Sequence, residues 1–168
     1  MIETLPKYKI LLVCTGNTCR SPMAEGILKQ MLKEKNITHF ELNSAGAGAL
    51  VGAPATALAI ETTKIFNIDI SNHKAQKVNQ TMLLEADLIL VMAPEHYYYI
   101  QQLDPSLSSQ TYLLKAFPLR ETDDKYTIKD PLGGDSEVYN KCFYELEEQL
   151  RRIWPILLEW SLKKRQLK

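Results

Sequence analysis

The residues with the clearest chemical potential are a cysteine and an arginine near the start of the chain. Cys14 and Arg20 bound the segment Cys-Thr-Gly-Asn-Thr-Cys-Arg, which is followed by Ser21 and Pro22. A polar, glycine-containing loop of this kind can turn its backbone N–H groups inward, and such a loop before a helix N-terminus binds anions. The guanidinium of Arg20 can donate to two phosphate oxygens at once. The segment is therefore predicted to bind phosphate.

A thiol in that loop adds a reaction to the binding. Cations and helix N-termini favour the thiolate form of cysteine, which is the nucleophilic form. Cys14 is predicted to attack a bound phosphate ester and form a phosphocysteine intermediate. The loop amides and Arg20 would then face the equatorial oxygens of the transition state. A lone cysteine after a strand is usually a small buried hydrophobe, so the prediction depends on the whole loop.

The elements around the loop alternate between strand and helix. The apolar run at 8–13 predicts a strand buried on both faces, and helical spacing predicts a helix from Ser21, as its cap, to about Lys35. Further elements are predicted as strands at 40–44, 86–92 and 111–116 and helices at 54–66, 94–103 and 136–164. The order implies a single-domain α/β fold over 1–168, Rossmann-like or flavodoxin-like, with about four parallel strands and helices on both faces. Pro155 is expected to kink or split the last helix.

Composition excludes several classes of protein. The chain has 168 residues, enough for one domain, and its twenty basic residues balance twenty acidic ones. Without a basic excess, neither nucleic acid nor a membrane surface is expected as a partner. The N-terminus has no signal-peptide pattern, and no apolar run reaches the roughly 18 residues of a spanning helix. Three cysteines indicate a reducing compartment, so a cytoplasmic protein is expected, as a monomer or weak dimer.

No cofactor is expected. His39 and His96 have no partners at metal-ligand spacing, and the chain contains no cluster of residues typical of a metal site.

The longer string from Val13 to Glu25 resembles the signature of the low-molecular-weight protein-tyrosine-phosphatase family. It consists of Val-Cys-Thr-Gly-Asn-Thr-Cys-Arg-Ser-Pro-Met-Ala-Glu, and the likeness extends across nearly the whole chain. The resemblance implies a cysteine-dependent phosphatase that acts on phosphorylated proteins, with Cys14 as nucleophile and Arg20 as phosphate clamp. The implied phosphate-binding residues follow the nucleophile: Thr15, Gly16, Asn17, Thr18, Cys19, Arg20 and Ser21.

The resemblance also implies residues that support the loop. Asn17 and Ser21 would hold the loop and aid the thiolate. Ser44, in Asn-Ser-Ala-Gly, and His73, in Ser-Asn-His-Lys, match a family network that supports Asn17. Taken alone, His73 would more often be an ordinary loop or surface histidine.

A general acid is needed because a phenolate with a pKa near 10 leaves slowly at pH 7 unless it is protonated. The candidate is Asp130, in Asp-Pro-Leu-Gly-Gly-Asp. On its own this sequence is most often a turn, and its two glycines permit an unusual loop path. The family carries its acid in an Asp-Pro loop just before the last helix, which implies that Asp130 acts as acid and then as base. Asp135 is predicted to cap that helix.

Two positions bear on the phosphorylated side chain. Tyrosine-specific family members commonly have an aliphatic residue at the position of Thr18 and aromatic residues after the proline that follows the acid. Thr18 resembles the protein-arginine phosphatases of bacteria, and its hydroxyl can accept from guanidinium N–H groups that an alkyl chain would leave unpaired. The arginine phosphatases also have an aromatic residue after that proline, so Leu132 departs from the pattern of both groups. The sequence favours phosphoarginine, with phosphotyrosine as the alternative and turnover of both left open.

The cysteines discriminate against a rival reaction. Arsenate reductases of the thioredoxin-coupled kind share the fold and a similar Cys-Thr-Gly-Asn loop, but they need a further cysteine pair around 79–95, where this chain has none. Cys142 is predicted to pack in the core. Cys19 is either a packing residue or, as the resemblance implies, a partner in a reversible disulfide that protects Cys14. A non-catalytic phosphopeptide-binding module is disfavoured because nucleophile, clamp and acid are all present.

Overall fold

One parallel sheet organises the part of the chain that the structure describes. The structure is a computed structural model and describes residues 6–167. The sheet has the strand order β2-β1-β3-β4, so β1 lies between β2 and β3. The strands are β1 (Tyr8–Cys14), β2 (Phe40–Gly46), β3 (Leu88–Val91) and β4 (Thr111–Leu113). The predicted parallel sheet of about four strands is confirmed.

Helices connect the strands and follow the last one. They are α1 (Arg20–Glu34), α2 (Ala57–Ile65), α3 (Gln80–Glu85), α4 (Pro94–Leu103) and α5 (Ser136–Gln166), with short 3₁₀ turns at Pro105–Gln110 and Asp124–Tyr126. Sequence patterns missed α3 and both 3₁₀ turns, because pieces this short carry no periodic apolar stripe. None of the helices formed by residues 6–167 combines the length and apolar character needed to cross a lipid bilayer. Residues 1–5 of the N-terminal segment, which was predicted to lack a signal-peptide pattern, lie outside the described part of the chain.

The side chains of β1 alternate between two cores. Ile10 and Leu12 belong to the core that contains residues of α1 and α5. Leu11 and Val13 belong to the core that contains residues of α3 and α4. Successive side chains of a strand point to opposite faces, so the continuous apolar run of β1 requires helices on both faces of the sheet.

Two local predictions, the Ser21 cap and a split of the last helix, are wrong. Helix α1 begins at Arg20 rather than after a Ser21 cap, and no side chain caps it. The Ser21 hydroxyl instead contacts Cys14 and Asn17 in the loop from Cys14 to Arg20, which is called the phosphate loop for its predicted role. Of the two outcomes expected at Pro155, the split is wrong, because helix α5 continues to Gln166. The kink stays a prediction. Pro155 lies on the exposed face, where water can satisfy the carbonyl that loses its partner, and the buried neighbours on the other face hold the helix in place.

Candidate active site

The segment from Cys14 to Arg20 joins the end of β1 to the start of α1. Cys14 lies at the carboxyl end of β1, opposite Gly46 at the end of β2. Ligands of parallel α/β sheets bind beyond these strand ends, where loops can surround them. The Cys14 thiol is buried, its Sγ lies 2.9 Å from Ser21 Oγ, and the backbone N–H of Asn17 donates to it at 3.3 Å. These polar partners make the site chemically unlike an apolar core position.

Asn17 holds the turn of this loop from inside. Its φ of 54° lies in the left-handed region, which asparagine tolerates better than most residues. Its Nδ2 donates to Ser21 Oγ at 2.8 Å and to Ser44 Oγ at 3.0 Å, and its Oδ1 accepts from Gln76 N at 2.8 Å. The predicted link between Asn17 and Ser44 is therefore present.

The carboxylate of Glu25 sets the polarity of this network. The Ser44 hydroxyl donates to Glu25 Oε2 at 2.6 Å, so its oxygen is free to accept from Asn17. Ser21 Oγ likewise accepts from Asn17, which leaves the Ser21 hydrogen to donate to Cys14 Sγ. A thiolate can only accept, so Ser21 is the donor in this contact once Cys14 is ionised. The network thus presents a donor to the sulfur, which stabilises negative charge there.

His73 contacts the same loop through the backbone of Asn17. Its Nε2 lies 2.7 Å from the carbonyl oxygen of Asn17. A carbonyl only accepts, so the Nε2–H of His73 donates, which fixes the tautomer. The structure therefore brings His73 to the position that the family resemblance implied.

Arg20 is the buried cation of the site. Its Nη1 donates to the carbonyl oxygen of Ile128 at 2.9 Å. Its Nη2 donates at 3.3 Å both to Thr15 Oγ1 and to Asp130 Oδ2. These acceptors fix the plane of the guanidinium and compensate for burying its charge.

Asp130 reaches the loop from a segment far along the chain. Its side chain is 42% exposed, and its Oδ1 accepts from Leu132 N at 3.1 Å. Gly133 follows with a φ of 83°, which confirms that a glycine permits the path of this turn. Asp135 accepts from Val138 N and caps α5, as predicted. The structure thus places the predicted acid beside the predicted phosphate clamp.

Gly46 is a site residue that the sequence did not reveal. A Cβ added there would lie 2.4 Å from the carbonyl oxygen of Thr15 and 2.9 Å from the N of Asn17. The end of β2 therefore packs directly on the backbone of the phosphate loop, and only glycine leaves the room. Gly46 could have been identified only from the pairing register of β1 and β2, and the sequence alone does not supply that register.

The second cysteine of the loop faces α5 and α2. Cys19 Sγ lies 3.2 Å from Tyr139 Oη and 3.5 Å from Thr56 Oγ1. Burial raises the pKa of Tyr139 to about 12. Cys14 and Cys19 are both free thiols here, so the reversible disulfide between them stays a prediction. Cys142 lies in the core, where burial raises the pKa of its thiol to about 12, and its predicted packing role is confirmed.

The remaining residues of the loop occupy its rim. Thr15 is exposed, Gly16 and Thr18 are half-buried, and the Thr18 carbonyl accepts from Thr56 N at 3.0 Å. This bond joins the loop to the N-terminus of α2. Within the described residues, no group of three or more His, Cys, Asp or Glu side chains is placed to hold a metal ion.

Comparison with known proteins identifies the class of this fold and site. A model of the low molecular weight phosphotyrosine protein phosphatase family matches residues 9–166. A probable low molecular weight protein-tyrosine-phosphatase, EpsP of Ralstonia solanacearum, is 41% identical over 117 residues, which cover 70% of this chain and 77% of the relative. The protein-arginine-phosphatase of Bacillus subtilis (strain 168) is 33% identical over 145 residues, which cover 86% of this chain and 93% of the relative.

A solved structure agrees with these relatives. The YwlE arginine phosphatase from Geobacillus stearothermophilus matches with a TM-score of 0.81 and 33% identity, over 93% of this chain and 96% of that chain. The chain belongs to the low molecular weight phosphotyrosine protein phosphatase family. The predicted family, the predicted Rossmann-like fold and the predicted enzyme class, a protein phosphatase, are confirmed.

Proposed function

We propose that Cys14 is the nucleophile of this phosphatase, that Arg20 binds the phosphate and that Asp130 is the general acid. The observation that carries the proposal is the distance of 3.3 Å between Arg20 Nη2 and Asp130 Oδ2, across 110 positions of sequence. The fold thereby supplies a carboxyl group at the loop that holds the thiol. A nucleophile, a fixed cation and a proton donor are the parts that phosphoryl transfer through cysteine requires.

In the first step the Cys14 thiolate attacks phosphorus. An S–P bond forms while the bond from phosphorus to the leaving oxygen or nitrogen breaks, and the proton of Asp130 goes to the leaving atom. The loop N–H groups and Arg20 donate to the three equatorial oxygens, whose charge they stabilise without reorganising. The Ser21 hydroxyl donates to the sulfur before the attack.

In the second step water displaces the sulfur. The Asp130 carboxylate accepts a proton from the water as its oxygen bonds to phosphorus, and the S–P bond breaks. The sulfur departs as a thiolate, onto which Ser21 and the Asn17 N–H donate again. The cycle releases inorganic phosphate and returns Asp130 to its protonated form.

Phosphoarginine on proteins is the substrate that Thr18 favours, with phosphotyrosine as the alternative. Thr18 is half-buried in the loop, where a hydroxyl can accept from a guanidinium that an alkyl group would leave unpaired. The Bacillus relative and the YwlE structure carry the name of arginine phosphatases. The family description and EpsP favour the alternative, and the exposed Leu132 supplies no aromatic ring beside Asp130 to decide between them.

The proposed setting is the cytoplasm, with the enzyme acting as a monomer or weak dimer. The support is the chemistry itself, because the reaction needs Cys14 as a free thiol and a reducing compartment keeps it so.

The substrate proposal is tested with one peptide that carries either phosphoarginine or phosphotyrosine, under reducing conditions and without added metal. We expect a higher kcat/KM for phosphoarginine. Thr18→Val has nearly the same shape without the hydroxyl, so it should lower that kcat/KM about tenfold, the effect of one hydrogen bond to a charged group, and leave phosphotyrosine turnover nearly unchanged. A wild-type preference for phosphotyrosine would select the alternative, and turnover of neither peptide would overturn the phosphatase mechanism.

A further inference from the structure

A buried histidine on α4 contacts the phosphate loop without belonging to it. His96 is 1% exposed and lies in the first turn of α4, just after the carboxyl end of β3. Its Nε2 lies 2.8 Å from Thr15 Oγ1, whereas its Nδ1 has no hydrogen-bond partner among the described residues. A buried ring that meets a single polar partner has its orientation set by that partner.

The partner of His96 is also a partner of Arg20. Thr15 Oγ1 accepts from Arg20 Nη2 at 3.3 Å, since a guanidinium only donates. That bond uses one lone pair of the hydroxyl and leaves its hydrogen and its second lone pair. Either tautomer of a neutral imidazole can use what remains, as acceptor or as donor. His96 therefore fixes the rotamer of Thr15 whichever of its nitrogens carries the proton.

Burial, and then the charge of Arg20, keep the imidazole of His96 neutral. Burial, and then the nearby Arg20 cation, lower the pKa of His96 to about 4 from its ordinary 6.5. A charged ring would lie beside a second buried cation, and the attraction of Glu95 and Asp130 does not offset burial and that repulsion. At pH 7 the contact is thus between a neutral ring and a hydroxyl. Neither group carries a negative charge that would compete with phosphate for Arg20.

We propose that His96 is a positioning residue for the phosphatase reaction: it holds the Thr15 hydroxyl where that hydroxyl orients the Arg20 guanidinium toward phosphate. The inference rests on the proposed role of Arg20 as phosphate clamp. Of the two acceptors of Nη2, Asp130 changes its protonation state during the proposed cycle. The Thr15 hydroxyl remains an acceptor for Nη2 throughout the cycle. The His96–Thr15 pair is therefore the constant restraint on Nη2 when Asp130 is protonated and its attraction for Arg20 is lost.

The test compares His96→Leu, which removes the hydrogen bond at similar volume, with His96→Gln, whose amide can replace it. Calorimetric binding of inorganic phosphate and kcat/KM for p-nitrophenyl phosphate are measured for both. We expect His96→Leu to weaken phosphate binding and lower kcat/KM each about tenfold, the equivalent of about 1.4 kcal/mol, and His96→Gln to recover most of both. Alkylation of Cys14 by iodoacetamide should proceed at the wild-type rate, because the partners of the sulfur are untouched.

Two further variants separate positioning from mere packing. Ile100→Val loosens the same helix in the core without touching Thr15, so it should lower the melting temperature while phosphate binding stays at the wild-type value. Thr15→Val breaks the contact from the exposed end, and the double variant with His96→Leu should lose no more than the larger single loss.

The outcomes are distinct. Phosphate affinity and kcat/KM within twofold of wild type in His96→Leu would overturn the inference, as would additive losses in the double variant. If His96→Leu does not fold, Thr15→Val alone decides, and normal phosphate affinity there would overturn it. A wild-type protein that binds phosphate but turns over no phosphate ester would contradict the proposed function. The comparison of phosphate binding between wild type and the His96 variants would still test the positioning role of His96.

Discussion

The phosphate loop and the loop of Asp130 meet at one site but are held in opposite ways. Cys14, Asn17, Arg20 and Ser21 are each at most 3% exposed, and protein groups satisfy their polar atoms. The Asp130 side chain is 42% exposed, and its contacts are Arg20 and its own turn. The fold therefore fixes the groups proposed to bind phosphate and leaves the proposed proton donor in contact with water.

This difference matches the two proposed tasks, phosphate binding and proton transfer. Oriented donors stabilise a transition state most when they need not reorganise, and burial among fixed partners achieves that. A carboxyl group that must be an acid in one step and a base in the next has to adopt both its protonated and its charged form. Burial without further partners would disfavour the charged form. The comparison predicts that variants in the first region change binding and chemistry together, whereas variants in the second change chemistry alone.

The largest effect is expected for Cys14→Ser, because a serine hydroxyl in place of the thiolate is a far weaker nucleophile. We expect kcat to fall by more than about a thousandfold, measured as phosphate release from the preferred peptide. Cys142→Ser is the matched control, since it removes a thiol from the core outside the loop and should retain activity. Full activity of purified Cys14→Ser would end the proposed mechanism.

Asp130→Asn should affect chemistry without affecting binding. Loss of the proton donor is expected to lower kcat about 10² to 10⁴-fold for a substrate with a poor leaving group. The loss should be smaller for p-nitrophenyl phosphate, whose leaving group needs less protonation. Calorimetry should give a phosphate affinity close to wild type. An equal loss for both leaving groups would contradict the role of Asp130 as general acid.

Much of the site was accessible from the sequence because it lies at one strand–helix junction. The run of β1, the polar loop and the helix after it are contiguous, so Cys14 and Arg20 could be predicted from local chemistry. Asp130, Ser44 and His73 were placed by family resemblance, because their contacts with the loop depend on the tertiary fold. The prediction of Ser21 as a helix cap was wrong because its hydroxyl forms hydrogen bonds with Asn17 and Cys14 inside the loop instead.

What the sequence did not reveal depends on register and burial. Gly46 matters because β2 pairs with β1 in a register that brings it against the loop backbone. His96 follows a different strand, and its sequence neighbours give no sign that its ring is buried against Thr15. Glu25 lies one helical turn after Ser21, a spacing that could have suggested a shared face of α1, but its bond to Ser44 requires the fold.

The pH dependence of stability should report the burial of His96. Its pKa in the folded protein is lowered to about 4, so between pH 6.5 and 4 the unfolded chain binds a proton that the folded chain does not. Stability is therefore lost as pH falls through that range, by about 3 kcal/mol from this group, and is fully present above pH 6.5. Urea unfolding from pH 7 to 4 measures the loss.

The matched control uses a second histidine. His96→Gln should remove most of the decline between pH 6.5 and 4. His39→Gln should retain most of it, because His39 is half-buried and contacts Ser161 rather than the phosphate loop. Identical pH profiles for wild type and His96→Gln would contradict the lowered pKa of His96.

The smallest effects come from one added methyl group in each region. Gly46→Ala forces a Cβ against loop backbone, so we expect it to destabilise the fold by about 1–3 kcal/mol and to weaken phosphate binding. Gly133→Ala adds a Cβ where no atom lies within 4 Å, but at a φ of 83° it strains the backbone by about 1–2 kcal/mol. Urea unfolding and phosphate calorimetry on both variants measure the pair.

The two alanine variants are expected to differ in which property they change, phosphate affinity or kcat. The strain at Gly133 can relax into solvent by moving the exposed turn, which shifts Asp130 and lowers kcat modestly while phosphate affinity stays at the wild-type value. A Cβ at Gly46 would press on the carbonyl of Thr15 and the amide of Asn17, so relief of the clash is expected to displace the phosphate loop itself. Weakened phosphate binding in Gly133→Ala, with normal binding in Gly46→Ala, would reverse the assignment of a fixed and an exposed region.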